Sequence, residues 1–140
     1  MLNPLGRLHR RGRKAAAADA PDIEEFLRVA RQSFVQLQAA WDRGDLAALA
    51  ALTTEPLLHE LRDQLAERGS GPNRTDVLTL DARLLGLEDL GEACVASVEF
   101  SGLIRERGDD TAAPFRELWL LAKAEQAGPG WRLARVQALG

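Results

Sequence analysis

The sequence predicts an α+β domain in which N-terminal helices cover a four-stranded antiparallel sheet. Apolar residues recur at three- and four-residue steps from Ile23 to Leu65, the period of a helix with one buried face. Beyond Ser70-Gly71-Pro72-Asn73 the pattern changes to alternation interrupted by turn residues, the period of strands. Helices grouped ahead of closely spaced strands exclude a doubly wound parallel sheet, in which the two must alternate.

At 140 residues, 46% hydrophobic and 28% charged, the chain has the material for one core and lies outside the disordered and collagen-like classes. Its longest uninterrupted apolar run, Leu46 to Leu52, is far short of the roughly 20 residues a membrane-spanning helix needs. A single cysteine, Cys94, excludes an internal disulfide, and no Cys/His spacing suits zinc. Neither metal nor cofactor is expected.

Charge divides the chain. Met1 to Lys14 carries Arg7, Arg10, Arg11, Arg13 and Lys14 and no acid; of 18 basic residues this leaves 13 against 21 acids, a balance of −8 for the rest. The reading is a basic flexible arm over 1–20 and a domain over 21–140. An acidic domain is a poor partner for nucleic acid, because counterion release needs a positive surface against the phosphates. The five bases of the arm, beside a short strip of Leu2, Leu5 and Leu8, are the candidate contact with an anionic membrane. Pro4, Gly6 and Gly12 oppose a helix there and three leucines bury little area, so an unstructured solubilising arm is the first reading and membrane contact the alternative. Ala15 to Ala18 is no signal-peptide apolar region, which makes cytoplasmic residence the expectation.

Pro21-Asp22 with Glu24 and Glu25 marks a helix start, since proline suits the first turn and carboxylates favour its positive end. Ile23, Phe26, Leu27, Ala30, Phe34, Leu37 and Trp41 form one stripe that ends at Gly44. Asp45 caps a short second helix, and Thr54 a third that turns Leu57, Leu58, Leu61 and Leu65 inward and stops at Gly69. Strands are expected over 76–87, 93–106, 113–124 and 131–139, joined by turns at Gly91, Gly108-Asp109-Asp110 and Gly128-Pro129-Gly130. Leu78, Leu80, Ala82 and Leu84 share a face of the first, and Ala96, Val98 and Phe100 one of the second. The third differs: Phe115, Trp119 and Leu121 point one way, and Leu118, Leu120 and Ala122 the other. Its second face needs a cover, which a homodimer, a folded-back arm or an internal ligand pocket would each supply.

Glu117, between Phe115 and Trp119 on one strand face, is the best candidate for an acid/base group. The structural alternative pairs it across the hairpin with Arg105 as an ion pair. Nothing equips His9, His59 or Cys94 for chemistry, because none has a carboxylate partner or an activating charge nearby.

The run Phe26-Leu27, Phe34, Leu37-Gln38, Ala40-Trp41-Asp42, Gly44-Asp45-Leu46 and Thr54 resembles the opening of the Tim44-like domain family. That family includes the C-terminal part of the mitochondrial inner-membrane translocase tether and its bacterial relatives. Asn73, Val77, Val98, Phe100-Ser101-Gly102, Arg105-Glu106, Phe115, Glu117, Trp119 and Trp131 continue the resemblance. It implies a cystatin-like or nuclear-transport-factor-two-like fold, with helices against a strongly bent sheet that encloses an apolar cavity. It also implies a non-catalytic role at the inner membrane, docking on lipid or holding a protein partner. On that reading no residue is catalytic, and an apolar ligand or lipid chain lies against Phe34, Trp41, Phe100, Leu118 and Leu120. An isomerase-like enzyme with Glu117 as base and a homodimeric adaptor without ligand are the alternatives.

Overall fold

A computed structural model describes residues 20–69, 74–106, 111–124 and 130–139. The five bases of the arm, from Arg7 to Lys14, lie outside the described residues. Among the described residues, three helices, α1 (Ala20–Arg43), α2 (Leu46–Leu52) and α3 (Glu55–Arg68), precede β1 (Thr75–Asp89), β2 (Ala93–Glu106), β3 (Ala113–Ala124) and β4 (Arg132–Ala138). The strands form one antiparallel sheet in the order β1-β2-β3-β4. The expected α+β meander is therefore present, with every boundary within two residues of the sequence reading.

The stripe on α1 is the reason the helices sit where they do. Ala30, Phe34, Leu37 and Ala40 are buried, and Phe26, Leu27 and Trp41 pack beside them. Phe34 is the centre: its ring lies 4.9 Å from Phe100, 5.5 Å from Phe115 and 4.9 Å from Trp119, which joins α1 to β2 and β3. Phe100 and Trp119 meet edge to face at 4.9 Å, so the cluster closes on itself.

A compact junction turns the chain from α1 into α2. Gly44, at φ +68, adopts the left-handed conformation that ends a helix, and Asp45 caps α2 by accepting the Ala48 N–H at 3.0 Å. Asp42 reaches further and accepts the Thr75 N–H at 2.8 Å, fastening the start of β1 to the end of α1. Thr54 stands at the cap position of α3 without a side-chain bond, and its N–H donates instead to the Leu133 carbonyl on β4.

Three register shifts curve the sheet, as extra residues in one strand do. They fall between Val77 and Thr79 and between Leu84 and Gly86 on β1, and opposite Leu120 and Leu121 on β4. The first corrects the face expected for β1: Leu78 occupies the bulge and is exposed, and Val77 takes its place with Leu80, Ala82 and Leu84. Strict alternation fails wherever two residues oppose one. Gly102 makes the first bulge feasible, since a Cβ there would collide with the Thr79 carbonyl oxygen.

Phe34→Ala is expected to cost about 3–5 kcal/mol in urea unfolding, because it empties the aromatic centre. Asp45 supplies a pH test. Its carboxyl is held below the ordinary carboxylate range, first by the Ala48 N–H and then by Arg43. A carboxylate lowered on folding stabilises the protein above its unfolded pKa, and that stabilisation disappears as pH falls through the folded value. Asp45→Ala should therefore melt below the wild type near neutral pH, with the difference narrowing as pH falls below the ordinary carboxylate range.

Candidate functional site

The helices do not cover the sheet evenly. α1 lies chiefly over β1 and α3 beside β4, so a wedge remains between the two helices and the β3–β4 half of the sheet. It forms a half-open cleft of about 670 Å³. Leu37, Gln38 and Trp41 line it from α1, Leu49 from α2, and Leu57, Glu60, Leu61 and Gln64 from α3. Glu117 and Trp119 line it from β3, and the stretch from Leu133 to Val136 from β4. The lining is mixed: leucines and two tryptophans supply its apolar part, and Glu60, Glu117, Gln38, Gln64 and Arg135 are among its polar residues, with polar atoms making the larger share of the exposed surface.

Its walls are held by specific contacts. Arg68, at the end of α3, donates from Nη1 to the Trp41 carbonyl at 2.8 Å and stacks 5.1 Å over the Trp41 ring. The guanidinium thus fixes both the indole and the distance between the C-terminal ends of α1 and α3. Trp119 donates its Nε1–H to Glu117 Oε1 at 2.9 Å, which orients the indole along the strand face. Arg132 Nη1 donates to the Ala50 carbonyl at 3.3 Å and draws β4 toward the end of α2. Buried Thr53 donates to the Leu49 carbonyl at 2.7 Å and bridges to Leu133, which closes the bottom of the wedge.

The residues expected to share an apolar pocket are divided by the fold. Trp41 lines the cleft. Phe34 and Phe100 do not: they are 3% and 0% exposed and fill the aromatic core. Leu118 and Leu120 point to the opposite face of the sheet, as alternation with Trp119 requires. The ion pair expected between Arg105 and Glu117 is corrected by the register. Phe100 stands opposite Glu117, and Ile104 opposite Ala113 at the hairpin end, so Arg105 lies far along the strand, across from Asp76. With the strand ends at Glu106 and Ala113, where the sequence reading put them, the antiparallel register sets Glu117 against Phe100 and not Arg105, and Glu117 finds its partner on its own strand, in Trp119.

Sequence reasoning missed most of the cleft's walls. Leu37, Leu57 and Leu61 appear in it as helix-face residues, with no signal that they border a space, because the gap depends on how far α3 stands from β4. Glu99, one of the charged residues alternating along β2, bonds Arg83 at 2.6 Å and approaches Arg116 at 3.5 Å on the outer face. Among the described residues, no group of three His, Cys, Asp or Glu side chains comes together as a metal site, and no helix is long and apolar enough to cross a membrane.

The profile of a protein family described as the Tim44-like domain matches residues 13–138. No curated protein matches the chain.

Glu117→Ala should destabilise the protein by about 1–3 kcal/mol in urea unfolding, because it strips the acceptor from the largely buried Trp119 N–H. Glu117→Gln keeps an acceptor oxygen and should recover most of that loss; equal losses for the two variants would mean the bond contributes nothing.

Proposed function

The chain belongs to the Tim44-like domain family, and on that premise we propose that it is a non-catalytic binding domain whose cleft takes an apolar or amphipathic ligand, such as a lipid chain. Members of the family are generally non-catalytic and membrane-associated. The observation that carries the reading is the cleft itself. Its volume of about 670 Å³ falls within the ~300–1,000 Å³ typical of small-molecule sites. The leucines and two tryptophans in its mixed lining reward burial of the apolar part of a ligand by roughly 25 cal/mol per Å² removed from water. Glu60, Glu117, Arg135, Gln38 and Gln64 offer polar contacts that would orient its other end.

The basic arm adds long-range attraction to this reading. Arg7, Arg10, Arg11, Arg13 and Lys14 would gather the acidic domain to an anionic inner-membrane surface, peripherally and in a salt-dependent way. The arm concentrates the protein near lipid and the cleft selects the ligand. Glu117 serves here as the brace for Trp119, with the isomerase-like role as the competing use of the same carboxylate.

The test is titration with the dye 1-anilinonaphthalene-8-sulfonate, read by its fluorescence. The wild type should bind it, and Leu61→Lys, in the α3 wall, should raise the Kd about tenfold or more, equivalent to ~1.4 kcal/mol. The melting temperature of the variant checks that the fold survives. Unchanged dye affinity in a folded Leu61→Lys protein would overturn the assignment of the cleft.

A further inference from the structure

β1 is an edge strand. Among the described residues it pairs with β2 alone, so the hydrogen-bonding groups along its other side meet no described strand. Such an edge is a template for a further strand. The two bulges of β1 leave Thr79 to Leu84 as a regular stretch between them, with the exposed Leu78 and Leu85 at its two ends.

Space for an added strand lies between this edge and α1. A groove of about 440 Å³ is lined on one side by every residue from Thr75 to Leu80. Consecutive residues point to opposite faces, so a groove that touches all of them runs along the edge of the strand. A second groove, of about 500 Å³, adjoins it through Val35 and Leu80 and continues under Arg31 and Gln32 of α1. The exposed Val35 and Leu78 give this channel an apolar wall on each side.

The residues of the edge specify which strand fits. Leu80-Asp81-Ala82-Arg83-Leu84 is its own complement when reversed. Laid antiparallel to a second copy about Ala82, it sets each Asp81 opposite Arg83 of the partner subunit and each Leu80 opposite the partner's Leu84. The leucines share the helical face with Ala82, and the charges share the outer face with Glu99 and Arg116. An axis at Asp81 or at Arg83 would oppose like charges, so one register is selected. Asp81 is exposed. Arg83 holds one oxygen of Glu99 while Arg116 approaches the other, and its guanidinium keeps donors to spare.

We propose that β1 pairs with β1 of a second copy of this chain across a two-fold axis at Ala82, joining the two four-stranded sheets into one. The partner's Leu84 then lies beside Leu80 in the groove below Val35. A two-fold contact closes on itself, and the bulges end the pairing on either side, so the product is a dimer and not a fibre. The cleft borders β3 and β4, at the other edge of the sheet, and the dimer does not depend on what it binds.

Sedimentation velocity of the full chain over a concentration series tests the proposal. The wild type should pass from monomer to dimer. Asp81→Arg or Arg83→Asp makes two symmetry-related pairs repulsive at once and should raise the dimer Kd about tenfold or more. The double variant Asp81→Arg/Arg83→Asp restores opposite charges and should return the Kd to near the wild-type value, with melting temperatures confirming that each variant is folded. A wild type that stays monomeric up to its highest soluble concentration would overturn the proposal. So would single variants that dimerise as the wild type does, or a folded double variant that recovers nothing. If a variant does not fold, the wild type decides. In mixed isotopically labelled and unlabelled protein, intermolecular Overhauser contacts should join the Leu80 methyls of one protomer to the Leu84 methyls of its partner. Contacts that fall instead on Leu118 and Leu120 would make the sheet face the interface and overturn the edge.

Discussion

The seat of Phe34 among Phe100, Phe115 and Trp119 is the contact on which the rest of the molecule depends. A sheet of four strands cannot bury a face alone, and a single long helix cannot bury its stripe alone. One ring at the centre of α1 touches two strands at once and sets where the helix crosses them. Ala30 and Ala40, on either side, let the backbone approach closely. With α1 placed chiefly over β1, the far half of the sheet is left to α2 and α3, which are shorter. The cleft follows from that shortage of cover, held open by Arg68 against Trp41 and lined by the strand that carries Trp119.

The short string from Trp41 to Asp45 shows how a family resemblance can record architecture before it records chemistry. Asp42 holds the first residue of β1, Gly44 ends α1 in a left-handed turn, and Asp45 caps α2. Only Trp41 reaches the cleft, and its position depends on the same turn. These residues fix the angle between α1 and the following helices, so the shape of the site and the integrity of the junction share one cause. The outer face, with Arg83, Glu99 and Arg116 in an ion network beside sheltered Leu118, is separate from this apparatus and has its own charge logic.

Helices and strands were legible because their signals are local. The stripe from Ile23 to Trp41 repeats with the helix, Asp45 and Gly69 stand at helix ends, and Gly91 stands in the turn that joins β1 to β2. The two faces of β3 were legible for the same reason, since alternation is a property of the strand alone. The errors occurred where two strands had to agree. Leu78 left its expected face because a bulge inserts one residue, and Glu117 missed Arg105 because the register between the two strands, which sets Phe100 against Glu117, is a property of the pair and not of either strand. The pocket residues were chosen for size and apolarity, which cannot separate a side chain filling the core, such as Phe100, from one bordering a gap, such as Trp41.

The sequence by itself determined the α+β class, the order and extent of the seven described elements, the Asp45 cap and the family, because periodicity, turn residues and capping act over a few neighbouring positions. Only the tertiary structure decided which leucines wall a cleft, which aromatic rings meet, and that Glu117 answers to Trp119. Those outcomes depend on distances between elements remote in the chain. They are settled by the packing of Phe34 and by the bulges in β1 and β4, through the requirement that every large side chain find a neighbour of complementary shape.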